Sequence, residues 1–251
     1  MAVVVFLLAV PVMALAQADE IQVYDGGLAA PGVFNLTLHN NFTPTGMAEP
    51  AFPGAVVADG SLNGVPEFAL GVTRWFEAGL YLPLYSRDKN AGWGIDGFKL
   101  RALFAVPNAD DRTFFYGANV EFSYNARRWD TTRLTSEIRP IVGWHVKPVD
   151  IIINPIVDTA YDGLANLEVV PAARVAVTVS PRWGVAVEEY ADLGPVHALL
   201  PRTKQAHQIY AVVDRTGGAW DIEAGVGVGL TDESDALTFK LILSRDINRR
   251  R

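Results

Sequence analysis

Between positions 113 and 125 the chain alternates between two kinds of side chain. One row is Phe114, Tyr116, Ala118, Val120, Phe122 and Tyr124; the other is Thr113, Phe115, Gly117, Asn119, Glu121, Ser123 and Asn125. A period of two predicts a β-strand with one apolar and one largely polar face. Strands of soluble domains usually run about 5–6 residues, and this segment is longer. Its length suits a tilted strand crossing a bilayer, where roughly 9–11 residues lie in hydrocarbon.

The same pattern predicts strands over 33–43, 65–73, 76–85, 97–106, 113–125, 133–146, 149–159, 166–179, 184–191, 204–213, 219–230 and 236–246. An even count is what a bacterial outer-membrane barrel requires. Short connections (73–75, 107–112, 147–148, 180–182, 214–218) alternate with longer ones, among them 44–64, 87–96 and 192–203. Short periplasmic turns and longer outer loops follow that rule, although 160–165 and 231–235 are brief for the outer side. Pro140, Pro155 and Pro171 fall inside predicted strands and suggest bulges, because proline cannot donate to a ladder.

Alternation alone does not separate a membrane barrel from a soluble barrel or sandwich. The polar row helps: Glu77, Lys99, Arg101, Glu121, Glu137, Arg139, Glu168, Arg174, Glu188, Glu223 and Lys240 lie on it, with opposite signs on neighbouring strands and glycines such as Gly71, Gly79 and Gly117 between them. Glycine suits a crowded, closed interior better than an open solvent face. An Arg or Lys facing lipid at midplane would cost about 2–4 kcal/mol. These residues are therefore lumen-facing candidates, and the fold class is an all-β, closed antiparallel transmembrane barrel of about 12 strands. Closure pairs every backbone group, which hydrocarbon demands. Trp75, Trp93, Trp129, Trp144, Trp183 and Trp220 all fall near strand ends. There they would form aromatic girdles at the headgroup layers, or pack as turn-flanking residues of a soluble sheet.

The first sixteen residues read as a signal peptide: Ala2 to Ala16 is uncharged and mostly apolar, and Ala14-Leu15-Ala16 offers a small-residue cleavage site. No basic residue precedes the run, as a misassigned start codon would explain; a membrane anchor is the alternative. Domain organisation is then 1–16 signal, 17–32 periplasmic segment and 33–251 barrel. Two arrangements are open for Glu20 to Asp25: a plug in the periplasmic mouth, or a strip beneath it. The loop 44–64, with an apolar stretch from Phe52 to Val57, either folds inward as a constriction or stands in solvent. Arg127, Arg128 and Arg133 at the outer rim either meet lipid phosphates or simply solubilise.

A net charge of −7 and no basic stripe outside Arg249-Arg250-Arg251 argue against nucleic acid as a partner. With no cysteine, disulfides and thiolate metal sites are excluded. No His-Glu-x-x-His, Gly-x-Ser-x-Gly or phosphate-loop motif occurs. His145 and Ser136 are nine residues apart on one strand, about 30 Å, which removes them as a catalytic pair; His197 with Asp192 on an outer loop remains conceivable. Catalytic residues, metals and cofactors are all read as none.

Gly71-Val72-Thr73-Arg74-Trp75-Phe76-Glu77-Ala78-Gly79-Leu80-Tyr81-Leu82-Pro83-Leu84 resembles a hairpin of the outer-membrane transporters grouped with the meta-pathway phenol-degradation proteins. Ser180-Pro181-Arg182-Trp183-Gly184 to Glu188 is similar to a second copy, and Gly32 to Pro44 resembles the first strand of related uncharacterised proteobacterial proteins. The resemblance implies a bacterial outer-membrane barrel, exported by the signal, that passes small, possibly hydrophobic, molecules and has no catalytic residues. Outer-membrane lipid, the barrel-assembly machinery and an unidentified solute are the implied partners. The chain departs from the usual aromatic C-terminal residue; Phe239 is the nearest aromatic. A plugged barrel without transport, a barrel hydrolase and a secreted soluble β-protein are the other readings.

Overall fold

In the computed structural model, which describes residues 20–248, the alternating segments form one antiparallel sheet. Its strands are β1 (Phe34–Thr45), β2 (Ser61–Gly71), β3 (Phe76–Asp88), β4 (Gly92–Ala105), β5 (Phe114–Asn125), β6 (Leu134–Val146), β7 (Val149–Asn154), β8 (Val157–Thr159), β9 (Glu168–Val169), β10 (Ala172–Ser180), β11 (Trp183–Asp192), β12 (Ala206–Arg215), β13 (Asp221–Gly229) and β14 (Leu237–Asp246). The first and last strands pair from Asn35↔Asp246 to Thr45↔Leu237, which closes the sheet into a barrel. The signal expected over 1–16 lies outside the described residues.

The fourteen strands make twelve staves. β7 and β8 both pair with β6 and are halves of one stave, broken at Pro155-Ile156. β9 pairs with β8 and β10 with β7, so they are halves of the next, broken at Val170-Pro171. Pro140 sits in β6 between the stretch that pairs with β8 (Ser136–Ile138) and the one that pairs with β7 (Val142–Val146). Its other side stays in register, opposite Ala118 of β5. Pro140, Pro155 and Pro171 thus line up across three adjacent staves, where each withholds an N–H from the ladder. Val170 N–H donates to the Ile156 carbonyl at 3.0 Å and restores one bond across the break.

The two rows of β5 part as their chemistry requires. Phe114 and Tyr116 are 48% and 57% exposed, while Phe115 between them is fully buried. Outward aromatics stack along the surface: Phe76 on Phe104 at 4.9 Å between ring centroids, Phe98 on Tyr124 at 5.6 Å, Phe114 against Trp144 at 5.6 Å. Exposed apolar side chains recur on every stave, from Phe34 and Phe68 round to Val226 and Phe239, a band that a soluble monomer rarely exposes.

Inside, the lining is not uniformly polar. Towards the turn end, Leu103, Phe115 and Ile141 point inward and are buried. Gly143 accommodates the Phe115 ring, whose Cζ would lie 2.0 Å from an added Cβ. The segments 72–75, 106–113, 147–148, 181–182 and 216–220 turn at this end; 46–60, 89–91, 126–133, 160–167, 193–205 and 230–236 connect at the other. The long loop expected over 87–96 is instead a tight hairpin, because β3 and β4 continue to a turn at 89–91.

Leu100 lies mid-strand on the outer face and is 51% exposed. Leu100→Arg should lower the unfolding free energy, measured by denaturant titration in phospholipid bilayers, by about 2–4 kcal/mol. A change within about 0.5 kcal/mol, usual for water-facing substitutions, would remove hydrocarbon from the outside of the barrel.

Candidate functional site: a plugged lumen

Residues 20–30 reach into the barrel from the turn end and occupy its interior. Ile21, Val23 and Tyr24 are buried and pack with Phe115, Ile141, Ile152, Tyr190 and Tyr210 of the wall. An irregular segment inside a barrel must find partners for its backbone, and wall side chains supply them. Arg139 Nη1 donates to the Gln22 carbonyl at 2.7 Å, and Lys240 Nζ to the Ile21 carbonyl at 3.2 Å. The Asn154 amide does both jobs for Tyr24, accepting from its N–H at 2.7 Å and donating to its carbonyl at 3.0 Å. Ala29 N–H donates to Glu77 Oε2 at 2.6 Å. Where the segment leaves the lumen it passes so close to Gly71 that an added Cβ would stand 2.2 Å from the Ala29 carbonyl oxygen.

Two ion-pair networks flank the plug. On the β2–β6 side, Arg101 pairs with Glu67 at 2.6 Å and with Glu77, Lys99 approaches Glu121 at 3.4 Å, and Arg139 pairs with Glu137 at 2.6 Å. His39 meets Glu67 at 3.2 Å. The Tyr24 ring lies between Arg139 and Arg101, 4.6 and 5.6 Å from the guanidinium carbons, and its hydroxyl meets that of Tyr81 at 2.5 Å. On the β10–β14 side, Arg174 pairs with Glu188, Asp214 and Glu223, while Lys240 pairs with Glu188 and, at 2.6 Å, with Glu223. Glu20 brings a carboxylate into the lumen with neither oxygen hydrogen-bonded among the described residues.

The plug divides the free space. An outer cavity of about 170 Å³ is floored by Ile21 and walled by Val56, Ala58, Trp129 and Tyr190. An inner one of about 420 Å³, open to the turn end, is lined by Gln22, Val23, Arg174, Asp214 and Glu223. Ile21 of the plug lines the outer cavity, and Gln22 and Val23 line the inner one. The loop 46–60 folds over the outer cavity: Ala55 to Ala58 are buried, and Val56 N–H donates to the Arg128 carbonyl at 2.9 Å.

The residues singled out by sequence fall as follows. Glu77, Arg101, Glu121, Arg139, Arg174, Glu188 and Lys240 are buried inside the barrel. Lys99, Glu137 and Glu223 are half-buried and join the networks just described. Glu168 stands opposite Asp158, which stands opposite Glu137, so it shares their face near the outer end. Trp75, Trp93 and Trp183 are exposed, and Trp144 and Trp220 half-buried. Trp129 departs from the girdle: it is 8% exposed and lines the outer cavity, because its loop tucks beneath 46–60. Arg128 also turns inward, to Ser86 Oγ at 2.6 Å and the buried Asp96 at 2.9 Å. His197 Nδ1 meets the Ala165 carbonyl at 2.6 Å rather than Asp192.

No family model and no curated protein matches the chain. Solved structures do share its fold. It is similar to an outer membrane channel from Pseudomonas putida F1, with 11% identity, 91% of this chain and 100% of that one covered, and a TM-score of 0.58. It is similar to the KdgM porin, solved with disordered oligogalacturonate, with 7% identity, coverage of 85% and 99%, and a TM-score of 0.54. These likenesses identify the closed twelve-stave antiparallel barrel of outer-membrane proteins.

Because the chain lacks cysteine, a single cysteine reports on the plug. Val23→Cys should react slowly with a bulky water-soluble maleimide. Adding Tyr24→Ala, which removes the ring between Arg101 and Arg139, should raise that rate by at least about tenfold, the equivalent of 1.4 kcal/mol. Equal rates in the two backgrounds would mean that Tyr24 does not hold the segment.

Proposed function

We propose that this protein is a bacterial outer-membrane channel for small molecules, with residues 20–30 as the element that sets its permeability. The observation that carries the reading is that successive residues of one non-strand segment line two cavities, Ile21 the outer one and Gln22 and Val23 the inner one. A lumen blocked by a non-strand segment needs only that segment to shift for a continuous path to form. Nothing in the wall has to open, and the ladder stays intact. The fold shared with a channel and a porin, and the hairpin resemblance to the meta-pathway transporters, support the same class. The apolar lining of the outer cavity by Ile21, Val56, Trp129 and Tyr190 favours solutes with an apolar body. The stacked outer aromatics support lipid as the surrounding medium, and hence the outer membrane as the location.

Catalysis forms no part of this reading. The four histidine rings meet carboxylates, an amide or a backbone carbonyl: His39 with Glu67, His145 with Asp150, His207 with Glu189 and Gln205, His197 with Ala165. None of these partners is a nucleophile awaiting a base. The competing reading is a permanently plugged barrel, favoured by the wall bonds to residues 21, 22, 24 and 29.

Conductance in planar bilayers separates the two. The intact chain should give small, infrequent openings. Deletion of residues 20–30 should give large and persistent ones, provided the variant keeps the heat-modifiable gel mobility of a folded barrel. A folded deletion variant that passes neither ions nor small solutes in liposome swelling would end the channel reading.

A further inference from the structure

The outer cavity has a chemistry that selects among small apolar solutes. Its volume of about 170 Å³ slightly exceeds the roughly 150 Å³ that takes up a benzene molecule in a protein interior. Its apolar surface offers two aromatic rings, Trp129 and Tyr190, together with Ile21 and Val56. Its charged groups are all of one sign. Among the described residues Glu49, Asp192, Glu233 and Asp235 line it, and no lysine, arginine or histidine does.

Glu233 is matched from outside by Lys204 at 2.6 Å. Among the described residues, Asp235 accepts only from a backbone N–H, that of Met47 at 2.8 Å, and Asp192 only from that of Gly194 at 2.9 Å. Burial pushes the Asp235 carboxyl above the usual carboxylate range, against the pull of the Met47 bond, and the charge of Asp59 pushes it further. A cation alongside would act in the opposite direction. A second and independent feature points the same way. Asn63 lines this cavity and is 5% exposed, and its side-chain carbonyl oxygen has no hydrogen-bond partner among the described residues. Its amide nitrogen is already given to Ser61 Oγ at 3.2 Å. A buried acceptor without a donor costs about 1–3 kcal/mol, and a donor-bearing ligand would satisfy it.

We propose that the outer cavity is a binding site for small arylalkyl amines, the aromatic ring lying among Ile21, Trp129 and Tyr190 and the ammonium group facing Asp192, Asp235 and the Asn63 carbonyl oxygen. An ammonium offers three donors and a full positive charge, which suits this set of acceptors. The aromatic rings add cation–π attraction. A carboxylate of the same size meets repulsion, and a neutral alcohol leaves the acidic groups unmatched. The inference deepens the channel reading by naming the solute class.

The test is binding, measured apart from conduction. The full chain is placed in lipid nanodiscs and titrated with phenethylamine, 2-phenylethanol and phenylacetate by calorimetry. The amine should bind at least about tenfold more tightly than the alcohol, as charge-assisted bonds are the stronger kind, and phenylacetate should not bind. Asp192→Asn with Asp235→Asn should bring the amine down to the affinity of the alcohol and leave the alcohol unchanged; Asp235→Asn alone, should the pair not fold, should lower the amine affinity selectively. Equal affinity for all three ligands, no binding of any, or an amine preference that survives the substitutions would overturn the proposal. Amine binding with no conductance would overturn the channel and leave this site; conductance without amine preference would do the reverse.

Discussion

Closure of the sheet between β1 and β14 is the constraint on which every other feature of the molecule depends. In hydrocarbon an unpaired strand edge leaves a row of N–H and C=O groups with no water to satisfy them, at several kcal/mol each. Twelve staves remove the edge and fix the sidedness of each strand. Alternate residues must then face inward, and the ring they form is wider than the eight-strand kind that side chains fill by themselves. The interior must be filled by something else or be wet. Here a length of chain fills it, and the wall is patterned to receive that chain: apolar Leu103, Phe115 and Ile141 where it packs, and Arg139, Asn154 and Lys240 where its backbone groups need partners.

The ion pairs of the lumen are better understood as devices of position than as sources of stability. Removing two charges from water costs several kcal/mol per ion, and their attraction often no more than offsets that loss. An apolar filling would serve stability as well. What charge adds is direction. Arg139 is held by Glu137 while its other nitrogen reaches the Gln22 carbonyl, and its plane lies against Tyr24. Lys240 is held by Glu188 and Glu223 while it reaches the Ile21 carbonyl. Each cation is fixed from the wall side first and so presents a donor at a set height. The plug is thereby registered to within a residue without a strand of its own.

How much of this was legible in the sequence follows from what a period can encode. Alternation in 113–125 and its repeats reports a face, so the staves and their number could be read. Proline reports a missing donor, so bulges at Pro155 and Pro171 could be anticipated, but neither the full breaks found there nor their alignment with Pro140. Residues 20–30 carry no period, and a segment without one has no face to reveal its place. The signal that could have located it was in the wall. Phe115 stands in the polar row of β5, a large ring where the pattern asks for a small or charged residue, with Gly143 and Gly26 around it. An apolar residue pointing into a wet lumen is a misfit; one pointing at a packed segment is not. Trp129 escaped for a related reason, since a loop that folds back over the barrel mouth leaves no trace in strand periodicity.

The outer cavity touches Ile21 and Tyr190, the inner one Gln22, Val23, Arg174 and Glu223, and Lys240, which reaches the Ile21 carbonyl, is paired with Glu188 and Glu223 beside them. A path opened by the plug would therefore run along this network and not along the one that holds Tyr24. Lys240 loses one acceptor when Ile21 leaves but keeps two carboxylates, so the network has no reason to collapse with the plug. Its formal balance is two cations, Arg174 and Lys240, against three carboxylates, Glu188, Asp214 and Glu223. The outer cavity above it is acidic as well. A solute entering from the loop end would meet negative potential first in the cavity and again at this network, which lowers the electrostatic barrier for a cation and raises it for an anion. Selectivity by charge would thus belong to the wall, and permeability to the segment it holds.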